Sequence, residues 1–200
     1  MKKIHTLTAI AAFGVSALSA QASIVLPDAG NSVTFEAEAR DAESDTSIVT
    51  NTDASGGSFV DGLAASAAGG GNGDFISFNI SNLDTALIYE ITFNYRNKSN
   101  VGDKSTEWEF YGVTGGSTYT LLTSIVAPHT GSWGGPFFEA STSTGFNIAA
   151  GTTAIQVENL TAGNFSHLDS FTISAIPEHG TYALLAGLTG LVFVMVRRRR

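Results

Sequence analysis

Tyr89-Glu90-Ile91-Thr92-Phe93-Asn94-Tyr95-Arg96 alternates a large apolar residue with a polar one along its whole length. Successive strand side chains point to opposite faces, so this period of two describes a β-strand with one buried face. The same period recurs on both sides of the stretch. Ile76, Phe78 and Ile80 alternate with Ser77 and Asn79, and Trp108 and Phe110 alternate with Glu107, Glu109 and Tyr111. Val33, Phe35 and Ala37 alternate with Thr34, Glu36 and Glu38. Further short runs lie at 119–126, 137–140, 154–158 and 168–174, split by Gly, Asn, Asp and Ser. Many short alternating runs between turn residues predict an all-β sandwich or barrel, and no segment between 23 and 176 carries a helical stripe.

The ends of the chain have a different composition. Lys2 and Lys3 precede the uncharged, mostly apolar run Leu7 to Leu18, and Ala20-Gln21-Ala22 is an A-x-A site. These features predict a secretory signal peptide over 1–22, with Ser23 as the mature N-terminus. At the other end Pro177-Glu178-His179 leads into the apolar run Tyr182 to Val196 and then Arg197 to Arg200. An apolar run followed by basic residues is a stop-transfer pattern. Its fifteen residues rise only ~22 Å as a helix, against a hydrocarbon core of ~30 Å. The span suits a temporary anchor. The order of Pro177-Glu178, short apolar helix and arginine cluster resembles the PEP-CTERM sorting signal, with His179 where that family has Pro. The resemblance implies a sorting segment over 177–200 and an exosortase-type membrane protease that cuts near Pro177 and Glu178. It also implies transient residence in the inner membrane, then release to the cell surface or the exopolysaccharide matrix. An ordinary single-span anchor is the alternative.

Between the ends lies one domain, 23–176, long enough to bury a core. It keeps four basic against seventeen acidic residues, a net charge near −13. Such a surface repels nucleic acid and suits calcium or sugar, or serves solubility alone. The chain has no cysteine, which excludes disulfides, thiolate zinc sites and thiol catalysis. The Gly-rich stretch from Ala64 to Asp74 is a long connection. It is no phosphate loop, because no Gly-Lys-Ser/Thr follows it. A second loop, Pro128 to Pro136, carries Trp133. His129 and His167 have no nucleophile motif beside them and the four histidines lack metal-ligand spacing, so catalysis is not expected.

Several segments, in order, resemble carbohydrate-binding modules of the family 6 and 35 type. They are Phe35-Glu36-Ala37-Glu38, Ser55-Gly56-Gly57, Gly73-Asp74-Phe75-Ile76-Ser77-Phe78, the stretch from Tyr89 to Arg96, Thr130-Gly131-Ser132-Trp133, Ala149-Ala150-Gly151 and Leu168 to Ser174. The resemblance implies a jelly-roll β-sandwich with a structural calcium and a sugar site on the loops at one end. On a strand, Glu36 and Glu38 would present their carboxylates to the same side, where they repel unless a cation or proton lies between them. Calcium accepts such oxygen ligands, and the resemblance adds Asp169 to the set. Two exposed glutamates on an outer sheet face are the alternative. For the sugar site the resemblance points to Trp133, to His167 where the family has Asn, and to Phe59 as the nearest second aromatic. The expected function is thus an exported, non-catalytic, calcium-stabilised module that binds polysaccharide. The alternative is a structural surface or matrix protein without a specific sugar site.

Overall fold

The computed structural model describes residues 23–44, 46–64, 74–99, 105–131, 135–142, 144–160 and 164–176, with a few helical positions between 187 and 197. Twelve strands are present among them: β1 (Ile24–Val25), β2 (Ser32–Glu36), β3 (Ala42–Glu43), β4 (Ser47–Thr50), β5 (Ser58–Ala64), β6 (Phe75–Ser81), β7 (Ile88–Ser99), β8 (Thr106–Thr114), β9 (Thr118–Ala127), β10 (Phe138–Ser141), β11 (Thr152–Asn159) and β12 (Asn164–Ile176). One sheet runs β1-β6-β11-β8-β9, with β3 also on β6. The other runs β10-β7-β12-β5-β4, with β2 also on β12. Among the described residues all pairings are antiparallel except that of β1 with β6.

The alternation in 89–96 has the expected result. Tyr89, Ile91, Phe93 and Tyr95 are buried, and Glu90, Thr92 and Asn94 are half-buried on the opposite face. The two inner faces meet through aromatic rings. Phe171 of β12 stacks on Phe35 of β2 at 4.5 Å between centroids and meets Phe78 of β6 and Phe110 of β8 edge-on. This one ring therefore joins strands of both sheets. The expected all-β sandwich is present.

β12 has β7 along one edge. Along the other, β5 pairs with it up to Leu168 and β2 pairs from Ser170 onward. The register against β7 jumps from Leu168 to Ser170, which leaves Asp169 as an extra residue. This is a β-bulge, two residues opposing one. The buried apolar positions show it too: Leu168 and Phe171 are three apart, whereas Phe171, Ile173 and Ala175 are two apart.

The same hand-over explains why the first long strand is shorter than its alternation predicts. β2 stops at Glu36, and Ala37–Ala39 form a 3-10 turn. β5 already occupies the next part of the β12 edge, so β2 has nothing further to pair with. Glu36 and Glu38 are therefore not neighbours on one strand face. The short strands β1, β3 and β4 lack enough residues to show a period. β5 hides its period because Gly62, at φ +88, breaks the register opposite Ser166 and Leu168.

The expected signal peptide over 1–22 lies outside the described residues, as do Pro177, Glu178 and most of the run 182–196. Among the described residues no helix is long and apolar enough to cross a membrane. The described positions Leu188, Leu191 and Met195 are exposed.

Replacing Phe171 with Ala should destabilise the domain by about 3–5 kcal/mol, the usual range for a buried phenylalanine. Chemical denaturation checks it; a loss below about 1 kcal/mol would contradict the central place given to this ring.

Candidate functional site

Two places on the sandwich gather chemistry. The first is the seam where β2 ends and β12 bulges. Glu36 closes β2, Glu38 lies on the 3-10 turn, and Asp169 is the bulged residue. The loop from Asn51 to Gly57 folds over them, closed by Asn51 N donating to the Gly57 carbonyl at 3.0 Å. Gly56 takes φ +64 within it, and a Cβ there would lie 2.5 Å from Glu38 Oε1 and 3.7 Å from Glu36 Oε2. The glycine is needed twice over, for the left-handed backbone and for the space the carboxylates fill.

Ser55 Oγ donates to Glu36 Oε2 at 2.7 Å, and Asp169 accepts from the backbone N–H and hydroxyl of Ser55 and from the Ser170 hydroxyl. Among the described residues Glu38 Oε2 and Asp169 Oδ1 are buried without a hydrogen-bond partner. Burial first, and then the charges of Glu36 and Asp169, push the Glu38 carboxyl above its usual range, against the pull of its own backbone N–H and of Arg40. Burial likewise pushes Asp169 up; hydrogen bonds from Ser55 oppose this and the charge of Glu36 adds to it. Unshared oxygens in a crowded acidic cluster are the donor set a hard cation takes. The residues fit calcium in that sense. Among the described residues no three acidic or histidine side chains converge closely enough to hold an ion alone, so backbone or hydroxyl oxygens would complete the shell.

The sequence-predicted sugar contacts lie beside this seam. Phe59 and His167 are brought together, stacked at 4.5 Å. Both are nearly buried, Phe59 4% exposed and His167 7%. The Arg96 guanidinium lies over Phe59 at 4.9 Å and over Phe137 at 4.2 Å, and its Nη1 donates to the Gly135 carbonyl at 2.8 Å. The Phe59 ring thus packs between a histidine and an arginine, and offers no open platform. Trp133 lies outside the described residues.

The second place, unforeseen in the sequence, is the outer face of the first sheet. A groove of about 220 Å³ crosses it, lined by residues of β3, β6, β11, β8 and β9. Register aligns its floor in two rows, Ala42–Ser77–Gln156 and Asn79–Ala154–Val113–Tyr119. Phe75 and Tyr119 are half-buried at its margins, and Tyr111 meets Tyr119 edge-on at 6.5 Å. Gln156 donates to Glu158 Oε1 at 2.7 Å, and the Tyr111 hydroxyl donates to Glu109. Small residues at the floor, aromatic rings at the margins and fixed polar groups between them make a shape for a flat, hydroxylated ligand. The polar members of β6 and β11 were legible only as a solvent face; what aligns them is the register between distant strands.

No protein-family model matches the chain, and no curated protein sequence does. Solved structures do resemble it. The C-terminal family 6 carbohydrate-binding module of a marine laminarinase from Zobellia galactanivorans is 20% identical, with a TM-score of 0.53 over 72% of this chain and 99% of that one. A carbohydrate-binding module of a Cellvibrio mixtus lichenase, solved with cellotriose, is 22% identical at a TM-score of 0.51, over 71% and 95%. A family 35 carbohydrate-binding module from Clostridium thermocellum is 18% identical at 0.52, over 72% and 98%. At these identities the likeness is one of fold, a carbohydrate-binding-module-like β-sandwich.

The buried pair at the seam makes the fold sensitive to acid. Burial, with the charge of Arg96, lowers the His167 pKa to about 4 although Asp61 Oδ1 lies 3.2 Å from Nε2 and opposes the shift. The unfolded chain binds this proton below about 6.5 and the folded chain only near 4. Stability therefore falls as pH drops through that window. Melting temperatures measured from pH 7 to 4 should decline less steeply for His167→Gln than for the wild type. Parallel curves would refute this account of His167.

Proposed function

We propose that the chain is a non-catalytic carbohydrate-binding module whose ligand lies in the groove across the first sheet, and whose fold is braced by calcium at Glu36, Glu38 and Asp169. The observation that carries the binding part is the groove itself. Spanning four strand spacings of ~4.8 Å, it is ~19 Å long, enough for a short oligosaccharide segment. Apolar C–H faces of sugar rings pack on Phe75 and Tyr119, and the exposed amide of Asn79 meets their hydroxyls. The carboxylates around the groove are already engaged, Glu109 by Tyr111, Glu158 by Gln156 and Asp41 by the Asn79 backbone N–H, an arrangement that suits binding geometry. The carbohydrate-binding modules that share the fold support the assignment of ligand class.

The groove itself carries no charged lining residue, and the net negative charge of the domain favours neutral polysaccharides over those bearing carboxylate or sulfate. Affinity electrophoresis or calorimetry against a panel of both kinds should retain the chain on neutral polymers. Tyr119→Ala should weaken that binding roughly tenfold, about 1.4 kcal/mol. Binding that survives both Tyr119→Ala and Asn79→Ala would move the site elsewhere, and absence of binding to every polymer would favour a passive matrix protein.

Calcium, when bound, supplies charge neutralisation and a cross-link. Glu36 and Glu38 from the start of the domain and Asp169 from its end would hold it, together with oxygens of the loop that contains Gly56. At ~100 times its Kd the ion adds ~2.7 kcal/mol to stability, which in a domain of this size raises Tm by about 5–10 °C. Melting with millimolar calcium and with chelator should differ by that much for the wild type and by much less for Glu38→Gln and Asp169→Asn. A wild-type curve indifferent to calcium would remove the ion from the proposal.

The end segments, with the PEP-CTERM-like order of Pro177-Glu178, apolar run and arginines, support export and exosortase-type delivery to the surface or exopolysaccharide matrix. Mass spectrometry of the surface-associated protein should find a C-terminus near Pro177; recovery of Arg197 to Arg200 on the mature chain would point to a plain anchor.

A further inference from the structure

Arg40 follows Glu38 by two residues, at the end of the 3-10 turn, and its side chain is 7% exposed. Its Nε donates to Glu43 Oε2 at 2.6 Å, Nη2 donates to the same oxygen, and Thr46 Oγ1 donates there too. Its third nitrogen, Nη1, is buried and among the described residues has no partner. Glu38 Oε2 is likewise buried and without a partner. Glu38 and Arg40 line one cavity of about 220 Å³, with Asp41, Ala42, Glu43 and Ile48. Opposite charges thus share a void, each with an unbonded atom, although a direct pair would satisfy both. Glu43, on β3, holds the guanidinium back by engaging its other two nitrogens.

We propose that Glu43 is a tether that keeps the Arg40 guanidinium off Glu38, and thereby sets the affinity of the acidic seam for calcium; this rests on the calcium assignment made above. A guanidinium released by Glu43 has the cavity to turn into. Once paired with Glu38 it occupies a calcium ligand and cancels its charge. Arg40 is then a built-in competitor of the ion, and Glu43 decides which of the two Glu38 meets. The arrangement also explains why Glu43 Oε2 collects three donors: a carboxylate fixed by Thr46 and by two guanidinium nitrogens cannot drift and let Arg40 go.

Calcium titration calorimetry on the full chain tests it, with calcium alone as the probe. Glu43→Gln should weaken calcium binding about tenfold, the scale of one charge-assisted hydrogen bond. Glu43→Asp keeps the charge but withdraws the carboxylate by one methylene, and should also weaken binding. Arg40→Gln should tighten it, and the double variant Arg40→Gln/Glu43→Gln should match Arg40→Gln alone, because there is no arginine left to release. A purely through-space effect of Glu43 predicts the reverse pattern: Glu43→Asp equal to wild type, and the Glu43→Gln loss persisting in the Arg40→Gln background. That pattern overturns the proposal while leaving wild-type calcium binding in place. A wild type that binds no calcium removes the calcium assignment, and the tether with it. Melting curves in chelator identify any variant that fails to fold; the Glu43→Asp arm then decides between the two patterns.

Discussion

One edge of one strand cannot pair with two partners at the same place, and β12 must serve both β2 and β5. The extra residue at Asp169 solves this. It lets β12 end its register with β5 at Leu168 and begin another with β2 at Ser170 while staying paired to β7 throughout. The seam that results has consequences in every direction. It stops β2 at Glu36, turns Glu38 inward on a 3-10 turn and brings the loop with Ser55 and Gly56 over both. A strand bulge and three carboxylates are therefore one feature, not two. The bulge aims Asp169 where an unbulged strand would have placed a pleated, paired residue.

The energetic character of the seam follows. An all-apolar hand-over between β2 and β5 would be the cheaper way to fill it, since buried carboxylates cost desolvation and repel one another. Glu36, Glu38 and Asp169 are nevertheless there, with two of their oxygens buried and unbonded among the described residues. The neighbouring Arg96–Phe59–His167 stack shows the other solution to burying charge: a guanidinium spread over two rings and bonded to a carbonyl. The two arrangements meet on β12, where His167 and Asp169 are two residues apart.

Much of the sandwich could be read from residues 89–96 and the runs like it, because a face that must be buried imposes period two wherever the strand is long and regular. The reading failed where that condition lapsed. Glu36 and Glu38 looked like strand neighbours because the alternation of Val33, Phe35 and Ala37 continues one residue past the last pairing. The bulge was legible in principle, in the three-residue step from Leu168 to Phe171, but only to someone who already knew which residues are buried. Phe59 reads as the second aromatic of a sugar site, and nothing local says that Arg96, thirty-seven positions later, lies over it. The groove was invisible for a related reason: Ala42, Ser77 and Gln156 become a floor through pairings between β3, β6 and β11, and no single segment contains them.

The hydroxyls of Thr34 and Thr172, 2.9 Å apart, are separated by 138 positions in the chain. The second sheet is thus closed by its first and last long strands, and β12 is its middle. Until 164–176 are present, β7 lacks its central partner, β2 has no partner at all, and β4–β5 is an isolated hairpin of marginal stability. Such a topology has high contact order, and the entropy of closing the longest loop must be met before the pairings that reward it can form. A chain made from its N-terminus is thus nearly complete before the piece that locks the second sheet exists, and strand order alone places the closing of that sheet among the last events of folding.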